Sequence, residues 1–159
     1  QVNKIQSTTL LIVGEVRAGE DKKAFEEFQS SIPDPRIIVT GIVSHKDMPA
    51  YYALMDVFVH PSLRDGMPNA LLEAMACEKT VIATPVGGTT DIIEDGKNGL
   101  LVKIDDADAL AGSILQLLNQ PENRGAMSRS AREAVLHRFT PERELKANLQ
   151  VYKSLGLKI

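Results

Sequence analysis

The sequence predicts an α/β fold: a Rossmann-like, doubly wound parallel sheet followed by C-terminal helices. Short apolar runs bounded by glycine or proline alternate with helix-length stretches as far as Val102, the order of a parallel sheet built from strand–helix units. Beyond Val102 the periodicity is helical only. The chain has 159 residues, 43% apolar and 25% charged, enough for one domain with its own core, and residues 1–159 are read as that domain.

Taken in order, Thr8 to Val13 is the first strand, bounded by Gly14. Asp21 to Ser31 follows as a helix with Ala24, Phe25 and Phe28 on one face. Arg36 to Thr40 is the second strand, closed by Gly41. Asp47 caps a helix running to Met55, with Pro49 in its first turn and Tyr51, Tyr52, Leu54 and Met55 as its packing set. Val57-Phe58-Val59 reads as a buried strand that stops at His60-Pro61-Ser62. Pro68 opens the next helix as its first residue, where no N–H is needed. Thr80 to Thr84 and Gly99 to Val102 are the last strands, with a helical turn at Thr90 to Glu94 between them. Gly14, Gly41, Ser62 and Pro85 then all fall at carboxyl ends of strands, where ligands bind in such sheets. Asp106 to Leu118 carries Leu110, Ile114, Leu117 and Leu118 at helical spacing. Pro121 begins a helix ending near Phe139, and Thr140 caps another begun by Pro141, with Leu145, Leu149, Tyr152 and Leu155 as a stripe. Arg124, Arg129, Arg132, Arg138 and Arg143 are interleaved with Glu122, Glu133, Glu142 and Glu144, the pattern of a solvated charged face.

The chemistry concentrates at the Pro68 helix. It is apolar nearly all round, with Ala70, Leu71, Leu72, Ala74, Met75 and Ala76, so it should be buried. Its polar side chains, Asn69 and Glu73, lie one above the other at i, i+4. Free N–H groups of the first turn, around Asn69, Ala70 and Leu71, together with the helix dipole make an anion site. Gly66 lets a ligand approach the backbone. Asp65 and Glu73 can each accept hydrogen bonds from two hydroxyls, as a sugar or ribose offers. Phosphate at a helix end with hydroxyls on either side describes a nucleotide sugar. A plainer reading has Glu73 offsetting the dipole and Asp65 capping the helix.

The residues beyond that helix add a resemblance. The Pro61-Ser62 pair, the acidic-x7-Glu spacing from Asp65 to Glu73, and Glu73-Ala74-Met75-Ala76 are followed by Gly87-Gly88 with Asp91, then Asn98-Gly99-Leu100-Leu101-Val102. In this order and spacing the chain resembles the nucleotide-sugar-binding half of the retaining GT-B glycosyltransferases, of the glycosyltransferase family 4 type. The similarity extends, less sharply, from about Thr9 to Tyr152. It implies transfer of a sugar from a nucleotide-diphosphate donor to a glycan, lipid or small-molecule acceptor, with neither a cofactor nor a metal. Asp65 and Glu73 take the catalytic-site positions. Glu73 would grip the ribose, and Asp65, one methylene shorter than the usual Glu, the donor sugar. Gly66, Met67, Pro68, Asn69, Ala70, Leu71 and Leu72 would line the sugar and diphosphate, and Gly87 and Gly88 would bring backbone to the same region or form a plain turn. The Gly41 to His45 loop would lie near the base, with His45 a surface residue. The terminal helix would pack across to a partner domain, leaving part of the Leu145 to Leu155 stripe exposed without it.

Two departures stand out. The family's usual Arg and Lys for the diphosphate have no counterpart before Thr8, and Arg17, Lys22 and Lys23 lie outside the expected motif. The acceptor-binding domain is absent, and the chain starts at Gln1, as a fragment would. Acceptor and membrane contacts would then come only through the missing part. Net charge of −3 gives no electrostatic case for nucleic acid. The single cysteine, Cys77, permits no internal disulfide, reads as a small packing residue and points to a reducing, cytoplasmic compartment. No apolar run approaches the roughly 20 residues of a membrane span. A non-catalytic nucleotide-sugar-binding or scaffold module stays open, as does another GT-B enzyme such as a nucleotide-sugar epimerase. A phosphorylase would need a pyridoxal lysine, and the central motif has none.

Overall fold

The computed structural model describes residues 7–15, 19–32 and 34–157, and the chain packs as two units, Gln1–Ala50 and Tyr51–Ile159. In the first, β1 (Leu10–Ile12) and β2 (Ile37–Val39) pair in parallel, Leu10 opposite Ile37 and Ile12 opposite Val39. Helix α1 (Glu20–Ser31) connects them, as a parallel crossover requires. The strands leave the sheet together, the Gly14 N–H donating to the Gly41 carbonyl at 3.1 Å. Lys22 and Lys23 form exposed i, i+4 pairs with Glu26 and Glu27 along α1. Arg17 lies outside the described residues. Asp47 does not cap the next helix: it closes a 3-10 turn, His45–Asp47, with its N–H on the Ser44 carbonyl, and α2 (Met48–Leu54) starts one residue later.

The second unit holds a parallel sheet in the order β3 (Val57–His60), β4 (Thr80–Ala83), β5 (Leu100–Leu101). Helix α3 (Asn69–Ala76) links the first pair, and the one-turn α4 (Thr89–Ile92) lies between β4 and β5. Strand β4 is central, with both neighbours parallel, and every residue of it is buried, which is why Thr80 to Ala83 reads as a continuous run rather than an alternation. Helices α5 (Ala107–Asn119), α6 (Pro121–Arg138) and α7 (Pro141–Ser154) complete the predicted α/β architecture of parallel sheets with C-terminal helices. Ile82, Val102 and Leu117 are buried together, with Val57, Leu100, Leu110, Ile114 and Met127 packed around them. Thr140 caps α7 as the sequence predicts, accepting from the Arg143 N–H, whereas Asp106, read as the first residue of its helix, is the N-cap of α5 and accepts from the Ala109 N–H.

Three arginines are not merely a solvated face. Arg124 donates to the Leu117 carbonyl at the end of α5 and to Asp56 at 3.2 Å. Arg132 donates to the Ala76 carbonyl, the last of α3. Arg138 donates to the Asp91 carbonyl in α4. Cations placed on helix-end carbonyls satisfy groups that have no intrahelical partner. The Asn98-Gly99 pair is likewise structural. Asn98, 2% exposed, accepts the Glu94 N–H and donates to the Ile92 carbonyl, closing the turn into β5. Helix α7 buries none of its residues: Leu145 is 59% exposed, and Leu155, just past its end, 70%.

Candidate active site

The register of β3 against β4 sets His60 opposite Ala83, so the chain leaves both strands at the same edge. There the Thr84 N–H donates to the His60 carbonyl and the Thr84 hydroxyl to the Ser62 carbonyl. The 61–67 loop and the 84–88 turn are thereby held together, and the Gly88 N–H donates to the Gly66 carbonyl at 2.6 Å. A Cβ on Gly87 would stand 1.8 Å from the Asp65 carbonyl oxygen, and one on Gly88 would stand 2.8 Å from that of Gly66. Gly87 also adopts φ +48°, where a side chain is strained. The two glycines let the turn press against the Asp65–Gly66 backbone. Gly66 differs: a Cβ there would meet nothing within 4 Å, so this backbone faces open space.

Helix α3 begins at Asn69, not at Pro68. Pro68 is the N-cap, with ψ 98°, and its carbonyl takes the N–H groups of both Leu71 and Leu72. The first-turn N–H groups that no backbone acceptor takes, among the described residues, are therefore those of Asn69 and Ala70, both exposed. Leu71 is fully buried, with Ala74 and Met75, and Pro68 is buried too; Leu72 is half-buried. Met67 is exposed, its sulfur beside Gly88.

The two carboxylates are held by partners that the sequence reading leaves unassigned. The Tyr52 hydroxyl donates to Glu73 Oε2 at 3.0 Å. Tyr52 is 1% exposed, and burial first, then the bond to Glu73, pushes its phenol above the usual range. His60 Nε2 lies 3.0 Å from Asp65 Oδ2. A carboxylate oxygen accepts, so this contact is a hydrogen bond in the His60 tautomer with its proton on Nε2. Asp65 thus pairs with His60 and does not cap α3, which has no side-chain cap. Phe58 stands between the two donors, edge-on to Tyr52 at 5.8 Å and stacked on His60 at 6.4 Å. Phe58 and His60 share one face of β3 because side chains alternate along a strand. A row of three rings therefore carries both hydrogen-bond donors.

What emerges is a loop carrying Asp65, an open glycine, two unpaired helix-head N–H groups and Glu73 one turn inside α3. Residues 1–120 match the model of the family described as glycosyl transferases group 1. The chain belongs to this family. Among relatives of this group 1 chain, the capsular polysaccharide biosynthesis glycosyltransferase CapM of Staphylococcus aureus is 30% identical over 89% of the chain and 36% of its own length. The putative glycosyltransferase EpsD of Bacillus subtilis is 39% identical over 64% of the chain and 26% of its own. Among solved structures, sucrose-phosphate synthase from Thermosynechococcus elongatus superposes with a TM-score of 0.84 at 30% identity, over 92% of the chain and 38% of that structure. The chain thus spans roughly a quarter to two fifths of the proteins it matches.

Within this group 1 glycosyltransferase chain the structure brings Asp65, Gly66, Gly87 and Gly88 into one contact region, with α3 following directly. Tyr52 and His60 are the residues that sequence reasoning missed. The alternation of Phe58 and His60 along β3 was the one available signal, and nothing local ties Tyr52 to a residue 21 positions away. Among the described residues no helix is long and apolar enough to cross a membrane.

Proposed function

We propose that residues 1–159 form the single donor-binding domain of a retaining, family 4 type glycosyltransferase, one half of a two-domain GT-B enzyme. The enzyme transfers a sugar from a nucleotide-diphosphate donor to an acceptor glycan or lipid. The observation that carries this reading is the pair of carboxylates, each fixed by a ring donor, in the loop ahead of α3 and one turn inside it. Glu73 takes the ribose hydroxyls, and Asp65 the hydroxyls of the sugar. Gly66 and Met67 approach the sugar with backbone, and Asn69 and Ala70 direct their N–H groups at the diphosphate. As the bond between the anomeric carbon and phosphate breaks, negative charge grows on the leaving diphosphate. N–H groups and the dipole at a helix head stabilise that charge, with basic side chains supplying the rest and no metal required.

That group 1 relatives are two and a half to four times longer than their matched part supports a second domain that holds the acceptor. Any membrane association would run through that domain. Residues 1–159 alone then bind donor weakly and transfer little, in the cytoplasm where nucleotide sugars are used.

The test is a thermal-shift titration of the chain and of Glu73→Ala with UDP, GDP, ADP and their sugar conjugates. Ligand at ~100 times its dissociation constant stabilises by about 2.7 kcal/mol. For a domain of this size that raises Tm by roughly 5–10 °C. A shift confined to one base and lost in Glu73→Ala is the expected result. No shift with any nucleotide, in this chain and in the full-length enzyme, refutes the reading in favour of a scaffold module.

A further inference from the structure

Asp65 keeps 28% of its side chain accessible, and its Oδ2 lies 3.0 Å from His60 Nε2. His60 itself is well anchored. Its backbone is in register with Ala83 on β4, its carbonyl takes the Thr84 N–H, and its ring lies nearly parallel to Phe58, at 13°. Only 19% of its side chain is accessible. A rigid strand residue therefore dictates the placement of a loop carboxylate five positions on.

We propose that His60 is a positioning residue for donor-sugar recognition. Its Nε2–H holds Asp65 Oδ2, and Oδ1 is thereby presented to a hydroxyl of the sugar at a fixed reach. This inference rests on the donor-site reading above and extends it, because it assigns the choice of sugar to a pair, His60 with Asp65, rather than to the carboxylate alone. A longer carboxylate could adapt to several hydroxyl positions through its extra rotatable bond. A shorter one, tied at one oxygen, accepts from a narrow set.

The prediction separates the sugar from the nucleotide. His60→Phe keeps the stack on Phe58 and removes the donor. It should leave the affinity for the responding nucleoside diphosphate within about twofold. Affinity for the matching nucleotide sugar should fall about tenfold, the scale of one hydrogen bond to a charged group. His60→Gln, whose amide nitrogen reaches the place of Nε2, should restore most of that loss, and His60→Asn, one methylene shorter, should not. In an Asp65→Ala background, which has no acceptor for His60, His60→Phe should add nothing further. Calorimetric titration with UDP and UDP-glucose, GDP and GDP-mannose, and ADP and ADP-glucose reads each of these.

A merely structural His60 would lower Tm and weaken both ligands of a pair equally, and that result overturns the proposal. So does additivity of His60→Phe with Asp65→Ala, or a wild type that gains nothing from the sugar. Should His60→Phe not fold, the Gln and Asn variants carry the same comparison. Nucleotide binding that is lost in Glu73→Ala, with a sugar increment indifferent to His60, refutes this inference and leaves the donor site standing. No binding of any nucleotide refutes both.

Discussion

Gly66 and Gly87 lie in the same contact region, yet the structure predicts opposite consequences for adding one methyl group. At Gly87 the new Cβ would fall 1.8 Å from the Asp65 carbonyl oxygen and 2.9 Å from that of Gly66, both backbone atoms that cannot rotate away. The residue also holds φ +48°, which costs an alanine about 1–2 kcal/mol. Pushing the Asp65 loop aside adds overpacking of about 1–3 kcal/mol. Together these give a loss of about 2–5 kcal/mol, or a fall in Tm of roughly 5–15 °C for a chain of this size. At Gly66 nothing lies within 4 Å of the methyl and no positive φ is held. Gly66→Ala should therefore stay within about 0.5 kcal/mol of wild type, helped by a stiffer unfolded chain. The open space it fills is where the donor sugar is proposed to come, so nucleotide-sugar affinity should fall at least about tenfold while Tm holds. Differential scanning fluorimetry and calorimetric titration of the two variants read both effects. Equal destabilisation by the two alanines, or an unchanged Tm in Gly87→Ala, would refute the packing argument.

Two further substitutions probe the supports around the site. Tyr52→Phe removes the donor to Glu73 but keeps the ring edge on Phe58, and should cost about 1.5 kcal/mol and lower Tm by roughly 3–6 °C. Because burial and Glu73 raise the Tyr52 pKa above 10.0, the folded state keeps a proton that the unfolded state sheds. That contribution is intact below pH 10.0 and declines as pH rises past it. Urea denaturation at pH 8 and pH 11 should then show the stability gap between wild type and Tyr52→Phe narrowing at the higher pH. Asn98→Leu removes both hydrogen bonds of a residue only 2% exposed, leaving the Glu94 N–H and the Ile92 carbonyl without its side chain. A loss of about 2–4 kcal/mol is expected, visible as a thermal midpoint lower by roughly 5–12 °C. Asn98→Asp, which keeps the acceptor, should lose less.

Strand and helix positions were legible because each rests on local chemistry. The apolar runs before Gly14 and Gly41, the Thr140 cap and the Pro121 and Pro141 helix starts need only near neighbours to be recognised. Boundaries failed where two local signals compete. Pro68 suits a first helical residue, but its ψ of 98° makes it the cap, and its carbonyl then takes the very N–H of Leu71 that had been assigned to an anion. Arg129, Arg132, Arg138 and Arg143 are exposed as their pattern predicts, but their carbonyl partners could not be read. Their alternation with glutamates is a surface pattern, and only the fold brings Arg132 to Ala76 and Arg138 to Asp91.

The candidate site shows the same division between local and distant information. Asp65, Gly66 and Glu73 could be picked out because carboxylates and a glycine around a helix head have few structural uses. What holds them is spread along the chain, and β3 explains how. Val57 packs into the core around Ile82 and Leu117, while Phe58 and His60 share the other face of the strand. Reading Val57 to Val59 as one buried run hides that second face, and with it the fact that His60 continues the line begun by Phe58. The core that stabilises the sheet and the rings that aim the carboxylates are thus built by alternate residues of a single four-residue strand. A register slip of one residue would move the rings to the core side and leave Asp65 without its donor. The placement of Asp65 depends on the β3–β4 register as directly as on any residue that touches it.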